Sequence, residues 1–212
     1  MHAFLFDIDG TLVDSATVIE DAWRQVAAEF GVNAEQIIDR CHGRRDLEVV
    51  EEFFEPAVRG QVLTRISALD VGAVTAVAAA RGAHDLLDTL ADDQWAVVTS
   101  GPRELMTARL RAAGLPIPQV LISAEDVGSG KPDPEGFLLA AHALGREPSD
   151  CVVVEDSPAG VAAGRAAGAT VAAVTTTHPA RDLLAADLVL ADLTALPGAL
   201  ATFLAKGHHQ PG

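Results

Sequence analysis

The sequence predicts an α/β fold, a parallel sheet covered by helices on both faces, with an all-α segment inserted after the first strand. Two observations carry this. Short apolar runs recur at Ala3 to Phe6, Trp95 to Val98, Gln119 to Ile122, Cys151 to Val154, Val171 to Val174 and Leu188 to Leu190, with mostly helical stretches between them. Strands alternating with helices form parallel sheets buried on both faces. The first and second runs, however, are separated by far more residues than one crossover helix needs, which marks an insertion.

Within the insertion, Val18, Ile19, Ala22, Trp23, Val26, Ala27 and Phe30 repeat at helical spacing before Gly31, a helix stop. Leu47, Val50, Phe53 and Phe54 form a second apolar stripe ended by Pro56, and Val58, Val62, Ile66 and Leu69 a third. The insertion is placed at residues 16–82, between core segments 1–15 and 83–206, and the tail 207–212 is expected to be loose. Gly160, Gly164 and Gly168 recur at helical spacing, and the expectation is a helix packed closely on the sheet.

Composition narrows function. A chain of 212 residues with 49% hydrophobic and 21% charged residues can bury a substantial core. Its net charge of -15 repels nucleic acid and anionic membranes. Neither is expected as a partner. The most apolar stretch, Val71 to Ala80, is about half the roughly 20 residues of a membrane span. Cys41 and Cys151 lack disulfide-like spacing, and the N-terminus has no secretory pattern, so a cytoplasmic monomer acting on a small molecule is expected.

The chemistry lies after the apolar runs: Asp7 and Asp9 follow the first, Thr99 and Ser100 the second, Glu155 and Asp156 the fourth. Ligands of open parallel sheets bind beyond the carboxyl ends of strands, so these residues should converge. Lys131, in Gly-Lys-Pro-Asp-Pro, should face them; the chain has only two lysines against thirteen arginines. Gathered carboxylates repel one another unless a cation sits among them. An all-oxygen donor set selects a hard ion such as magnesium, which takes one or two carboxylates and shares a substrate phosphate. Asp7-Ile8-Asp9-Gly10 does not fit an EF-hand, because its glycine comes too early. A carboxylate can attack phosphorus while a second carboxyl protonates the leaving alcohol and later activates water.

The stretches Phe-Asp-Ile-Asp-Gly-Thr-Leu-Val-Asp-Ser, Val-Thr-Ser-Gly, Gly-Lys-Pro-Asp-Pro and Val-Glu-Asp-Ser-Pro-Ala-Gly resemble, in order, the four motifs of the haloacid dehalogenase superfamily. The insertion resembles the helical cap of its subfamily I phosphatases, and the chain is most similar to the sugar phosphatase, glycerol-3-phosphatase and 2-deoxyglucose-6-phosphatase group. The resemblance implies a Rossmann-like core and a magnesium-dependent phosphatase for sugar or polyol phosphates. It implies Asp7 as nucleophile and Asp9 as general acid/base. Magnesium would be bound by Asp7, the Asp9 main-chain carbonyl and Asp156, with Glu155 supporting the site. Thr99, Ser100 and Lys131 would hold the phosphoryl group. In similar enzymes the cap loop, here His42-Gly43-Arg44-Arg45-Asp46, selects the leaving group, which points to His42 and Arg45; the plain alternative is a solvated turn with Asp46 as a helix cap.

Rival readings are a β-phosphoglucomutase-like mutase, a phosphonoacetaldehyde hydrolase, a haloacid dehalogenase and a phosphosugar-binding module. The mutase's cap histidine is Ile19 here, residues 16–82 hold no lysine for a Schiff base, the metal-binding acids are present, and the site residues are intact. Each rival ranks lower.

Overall fold

The computed structural model describes residues 2–205; the predicted tail, with His208 and His209, lies outside them. Six strands form one parallel sheet: β1 (Ala3–Phe6), β4 (Trp95–Val98), β5 (Leu121–Ile122), β6 (Cys151–Glu155), β7 (Thr170–Val174) and β8 (Leu188–Leu190). Every apolar run of the sequence is one of them. Their order, β5-β4-β1-β6-β7-β8, puts β1 at the centre, with the chain progressing outward on either side. That reversal leaves a crevice beyond the carboxyl ends of β1, β4 and β6.

Alternation along the strands builds two cores. Phe6, Val97, Val152, Val154 and Val174 pack on one face with Leu86, Met106, Leu110 and Leu196. These come from α5 (Ala83–Leu87), α6 (Arg103–Ala112) and α9 (Leu196–Ala205). Leu5, Val98, Val153 and Val171 pack on the opposite face with Phe137 and Ala140 of α7 (Glu135–Ala143) and Val161 and Ala163 of α8 (Pro158–Ala166). As predicted from its glycine spacing, α8 lies directly on the sheet: a Cβ on Gly164 would come within 2.9 Å of Val153, and one on Gly160 within 1.8 Å of the Glu155 carboxyl carbon.

The insertion carries four helices, α1 (Ala16–Phe30), α2 (Ala34–Cys41), α3 (Asp46–Phe53) and α4 (Arg59–Gly72). They enclose a third core in which Trp23 stacks on Phe54 at 6.4 Å. A short antiparallel ribbon, β2 (Val13–Asp14) with β3 (Ala78–Ala79), forms its neck. The ribbon and α2 were not anticipated. Two-residue strands carry no readable period, and α2 shows little besides Ile37, Ile38 and Cys41, although Asn33 caps it by accepting from the Glu35 and Gln36 amides. Both cysteines are buried and free, with burial pushing Cys41 up to about 12 and Cys151 up to about 11. Among the described residues no helix is long and apolar enough to cross a membrane.

Candidate active site

Asp7 leaves the end of β1, its amide donating to the Val154 carbonyl of β6 at 3.0 Å. Lys131 reaches in from the loop before α7 and inserts its ammonium between Asp7 Oδ1 (2.5 Å), Glu155 Oε1 (2.6 Å) and the Val98 carbonyl (3.1 Å), with the Phe137 ring 5.4 Å away. The predicted convergence of the first, third and fourth motifs is therefore present. Thr99 is buried at the end of β4, and its hydroxyl accepts from the Gly101 amide at 3.1 Å. The Ser100 hydroxyl donates to the Gly43 carbonyl at 2.8 Å, tying the insertion's loop to the core. Gly43 has φ 76° and lies so close to Ser157 that a Cβ would meet its hydroxyl at 2.1 Å, so the loop seats only with glycine there.

Three acids, Asp7, Glu155 and Asp156, are buried here, and the one ammonium contacts only the first two. Burial pushes Asp7 up to about 8 against the pull of Lys131, with Glu155 and Asp9 adding repulsion. Asp156 is raised by burial and by Glu155 and Asp7, although Thr177 donates a hydrogen bond to it. Lys131 is held above its ordinary range by Asp7 and Glu155 even though burial opposes its charge. This is the electrostatic state of a site short of positive charge.

The acids do not gather as four. Glu155 is fully committed: Oε1 accepts from Lys131, and Oε2 accepts from the Asp156 amide, the Ser157 amide and the Ser157 hydroxyl. Glu155, expected to support the metal site, thereby holds Lys131 in place. The Asp9 carboxylate also turns elsewhere, with Oδ1 accepting from Ser15 at 2.7 Å and Oδ2 from Arg109 at 2.7 Å. Consistently, among the described residues no three His, Cys, Asp or Glu side chains form a metal cage. The carboxylates left for an ion are Asp7 and Asp156, and this oxygen pair, short of positive charge, fits a magnesium ion that completes its shell with waters and phosphate oxygens.

A cavity opens between the insertion and the core, lined by Asp7, Asp9, Thr99 and Ser100 below and by Ile19, Trp23, His42, Arg44, Asp46 and Asp70 above, with Arg109 at its side. Arg109 on α6 is only 2% exposed and bridges Asp9 Oδ2 and Asp70 Oδ1, both at 2.7 Å. Sequence reasoning missed Arg109, Asp70 and the Ser15 contact. An arginine in a helical stretch is usually solvated, and nothing in the local pattern marks this one as buried. Asp46 caps no helix; it lines the cavity, pushed up to about 7 by burial and by Asp70. His42 also lines the cavity; burial and its neighbour His178, whose ring centre is 6.0 Å away, hold its imidazole below the usual range. Arg45 pairs with Glu48 and donates to the Gly128 carbonyl, and it lines a second cavity together with Thr99, Ser100 and Lys131, while Arg44 lines the main cavity.

Residues 1–168 match the family model of haloacid dehalogenase-like hydrolases. The chain is 40% identical over 195 residues to hexitol phosphatase A of Escherichia coli (strain K12), covering 90% of each protein. It is 34% identical to 2-deoxyglucose-6-phosphate phosphatase 2 of Saccharomyces cerevisiae, covering 90% of this chain and 87% of that relative. A hydrolase from Pseudomonas syringae has a similar crystal structure, with a TM-score of 0.85 at 25% identity over 95% of this chain and 99% of that one. The expected superfamily, the central parallel sheet and the four motifs agree with these likenesses, and the chain belongs to the haloacid dehalogenase-like hydrolase family.

Proposed function

We propose that the protein is a magnesium-dependent phosphatase that hydrolyses small sugar or polyol phosphate monoesters through an aspartyl-phosphate on Asp7. The Asp7–Lys131 pair at the mouth of β1 carries this reading: a buried carboxylate with no role in folding a turn, next to a point charge that can accompany the transferring phosphoryl group. The names of the relatives, hexitol phosphatase and 2-deoxyglucose-6-phosphate phosphatase, support the substrate class.

Asp7 attacks phosphorus, the bond to the leaving oxygen breaks, and Asp9 gives that oxygen its proton. Asp9 then takes a proton from water as the water oxygen attacks phosphorus, which breaks the bond to Asp7 and frees inorganic phosphate. Lys131 stabilises charge on Asp7 and the phosphoryl oxygens, and Thr99 and the Ser100 main chain orient that group. Asp7 and Asp156, with the Asp9 main-chain carbonyl, would hold magnesium, which when bound neutralises the acid cluster and the phosphate charge. The helical insertion, residues 16–82, acts as a cap that closes the cavity over the leaving group. Ile19 lines that cavity and carries no proton, which disfavours a mutase.

Asp7→Asn is expected to abolish phosphate release from p-nitrophenyl phosphate in the presence of magnesium, since of the two carboxylates on Lys131 only Asp7 lines the cavity. Undiminished turnover in that variant would sink the covalent route.

A further inference from the structure

We infer that, among sugar and polyol phosphates, the cavity selects those whose leaving group is uncharged, its wall of Asp46 and Asp70 rejecting substrates that bear a second phosphate or a carboxylate. This rests on the phosphatase reading above and narrows it.

The first ground is charge. Every arginine lining the cavity is already spent. Arg109 places one terminal nitrogen on Asp9 and the other on Asp70, and Arg44 pairs with Glu52 at 2.7 Å. Lys131, below, is held by Asp7 and Glu155. Among the described residues lining the cavity no arginine or lysine is left without a carboxylate partner, while Asp46 and Asp70 both line its upper wall. One guanidinium answers both Asp9 and Asp70, and Asp46 has no ion-pair partner, so a second anion would meet a wall with more acids than cations.

The second ground is unmatched hydrogen-bonding capacity. His42 Nε2 and Arg109 Nε are buried without a hydrogen-bond partner, on residues 8% and 2% exposed that both line the cavity. Glu20 lies 3.5 Å from His42 Nε2, too poorly placed to satisfy it. Orphaned polar atoms in native proteins are few, and a ligand is one way to satisfy them. A hydroxyl group both donates and accepts, so it fits beside His42 in either tautomer, beside the Arg109 donor and beside the Asp46 acceptor. One hydroxyl cannot serve all three, which calls for a skeleton carrying several. Trp23, Leu105 and Met106 supply an apolar surface for its C–H groups.

The test is phosphate release, with magnesium, from six-carbon esters that differ in charge: sorbitol 6-phosphate and glucose 6-phosphate against 6-phosphogluconate and fructose 1,6-bisphosphate, with p-nitrophenyl phosphate as reference. Measured at pH 8, above the value of about 7 to which Asp46 is pushed, the expected kcat/KM for the neutral skeletons exceeds that for the charged ones by about a hundredfold, and Asp46→Asn narrows the ratio about tenfold by removing the wall's unpaired acid. Comparable rates on both groups, with p-nitrophenyl phosphate hydrolysed, overturn the inference and leave the phosphatase reading standing. An unchanged ratio in soluble Asp46→Asn removes that residue from the discrimination and overturns the wall as its source. Should that variant fail to fold, the ratio in the native protein still decides. Absence of release from every ester, p-nitrophenyl phosphate included, takes the parent reading down as well.

Discussion

Two buried cations in this protein each lie between two carboxylates, and one tripeptide supplies an acid to both. Lys131 joins Asp7 to Glu155, entirely within the sheet core. Arg109 joins Asp9 to Asp70 and so ties the core to the inserted helices. An ammonium is a compact charge that a phosphoryl group can share from several directions, whereas a guanidinium is a planar fork whose bonds fix geometry. The first network is suited to chemistry and the second to alignment. Asp7 and Asp9, two residues apart, are thereby given different environments by different cations.

Removing the central charge of the first network should have the largest effect. Lys131→Met leaves Asp7 and Glu155 buried without their partner, and breaking a buried pair in this way costs about 3–5 kcal/mol. We expect a large drop in the urea midpoint together with loss of detectable phosphate release; a variant that keeps its stability would show that the acids do not depend on the ammonium. Asp9→Asn, in the second network, should fold and lose about 10²- to 10⁴-fold in kcat, the usual worth of general acid/base catalysis. A kcat within a factor of a few of the native value would remove Asp9 from proton transfer.

The first network also predicts how stability depends on pH without metal. Asp7 is raised from 3.8 to about 8 and Asp156 is raised as well, so the folded protein binds protons more tightly than the unfolded chain. That contribution is complete below about pH 4 and is lost as pH rises through 8. Metal-stripped protein should therefore lose up to about 1.4 kcal/mol per pH unit for each such group across this window. Added magnesium should restore most of the loss at pH 8 and little at pH 5. Calorimetric melts in chelator and in magnesium would read this directly, and a flat chelator profile would contradict it.

The first network was legible in the sequence and the second was not, for a physical reason. Asp7, Lys131, Glu155 and Asp156 each follow an apolar run or sit between prolines and glycines, where local pattern fixes position, and parallel pairing of β1, β4 and β6 brings them together. The position of Arg109 depends on which face of α6 meets the inserted helices, and that of Asp70 on how α4 leans over the core. Such tertiary arrangements leave no period in the chain. The same limit holds for the partners of Glu155 and Arg45, which neither the motif nor the position of the cap loop specifies. Side-chain direction turned Glu155 to Lys131 and the Ser157 amide, and Arg45 to Glu48.

Arg109→Lys separates charge from geometry in the second network. The substitution keeps a cation near Asp9 and Asp70, but an ammonium has no rigid fork that spans both at 2.7 Å. If Arg109 only neutralised the two acids, lysine would serve, and kcat and KM would remain near native. If it aligns Asp9 and holds the inserted helices in register with the core, kcat should fall about tenfold, because small displacements of a positioned group cost rate steeply, and KM should rise with it. We expect the second outcome, accompanied by a melting temperature lowered by less than in Lys131→Met, because the charge itself remains. Steady-state kinetics of Arg109→Lys beside Arg109→Met would decide it: equal losses in the two variants would mean that charge contributes nothing and that the fork alone matters.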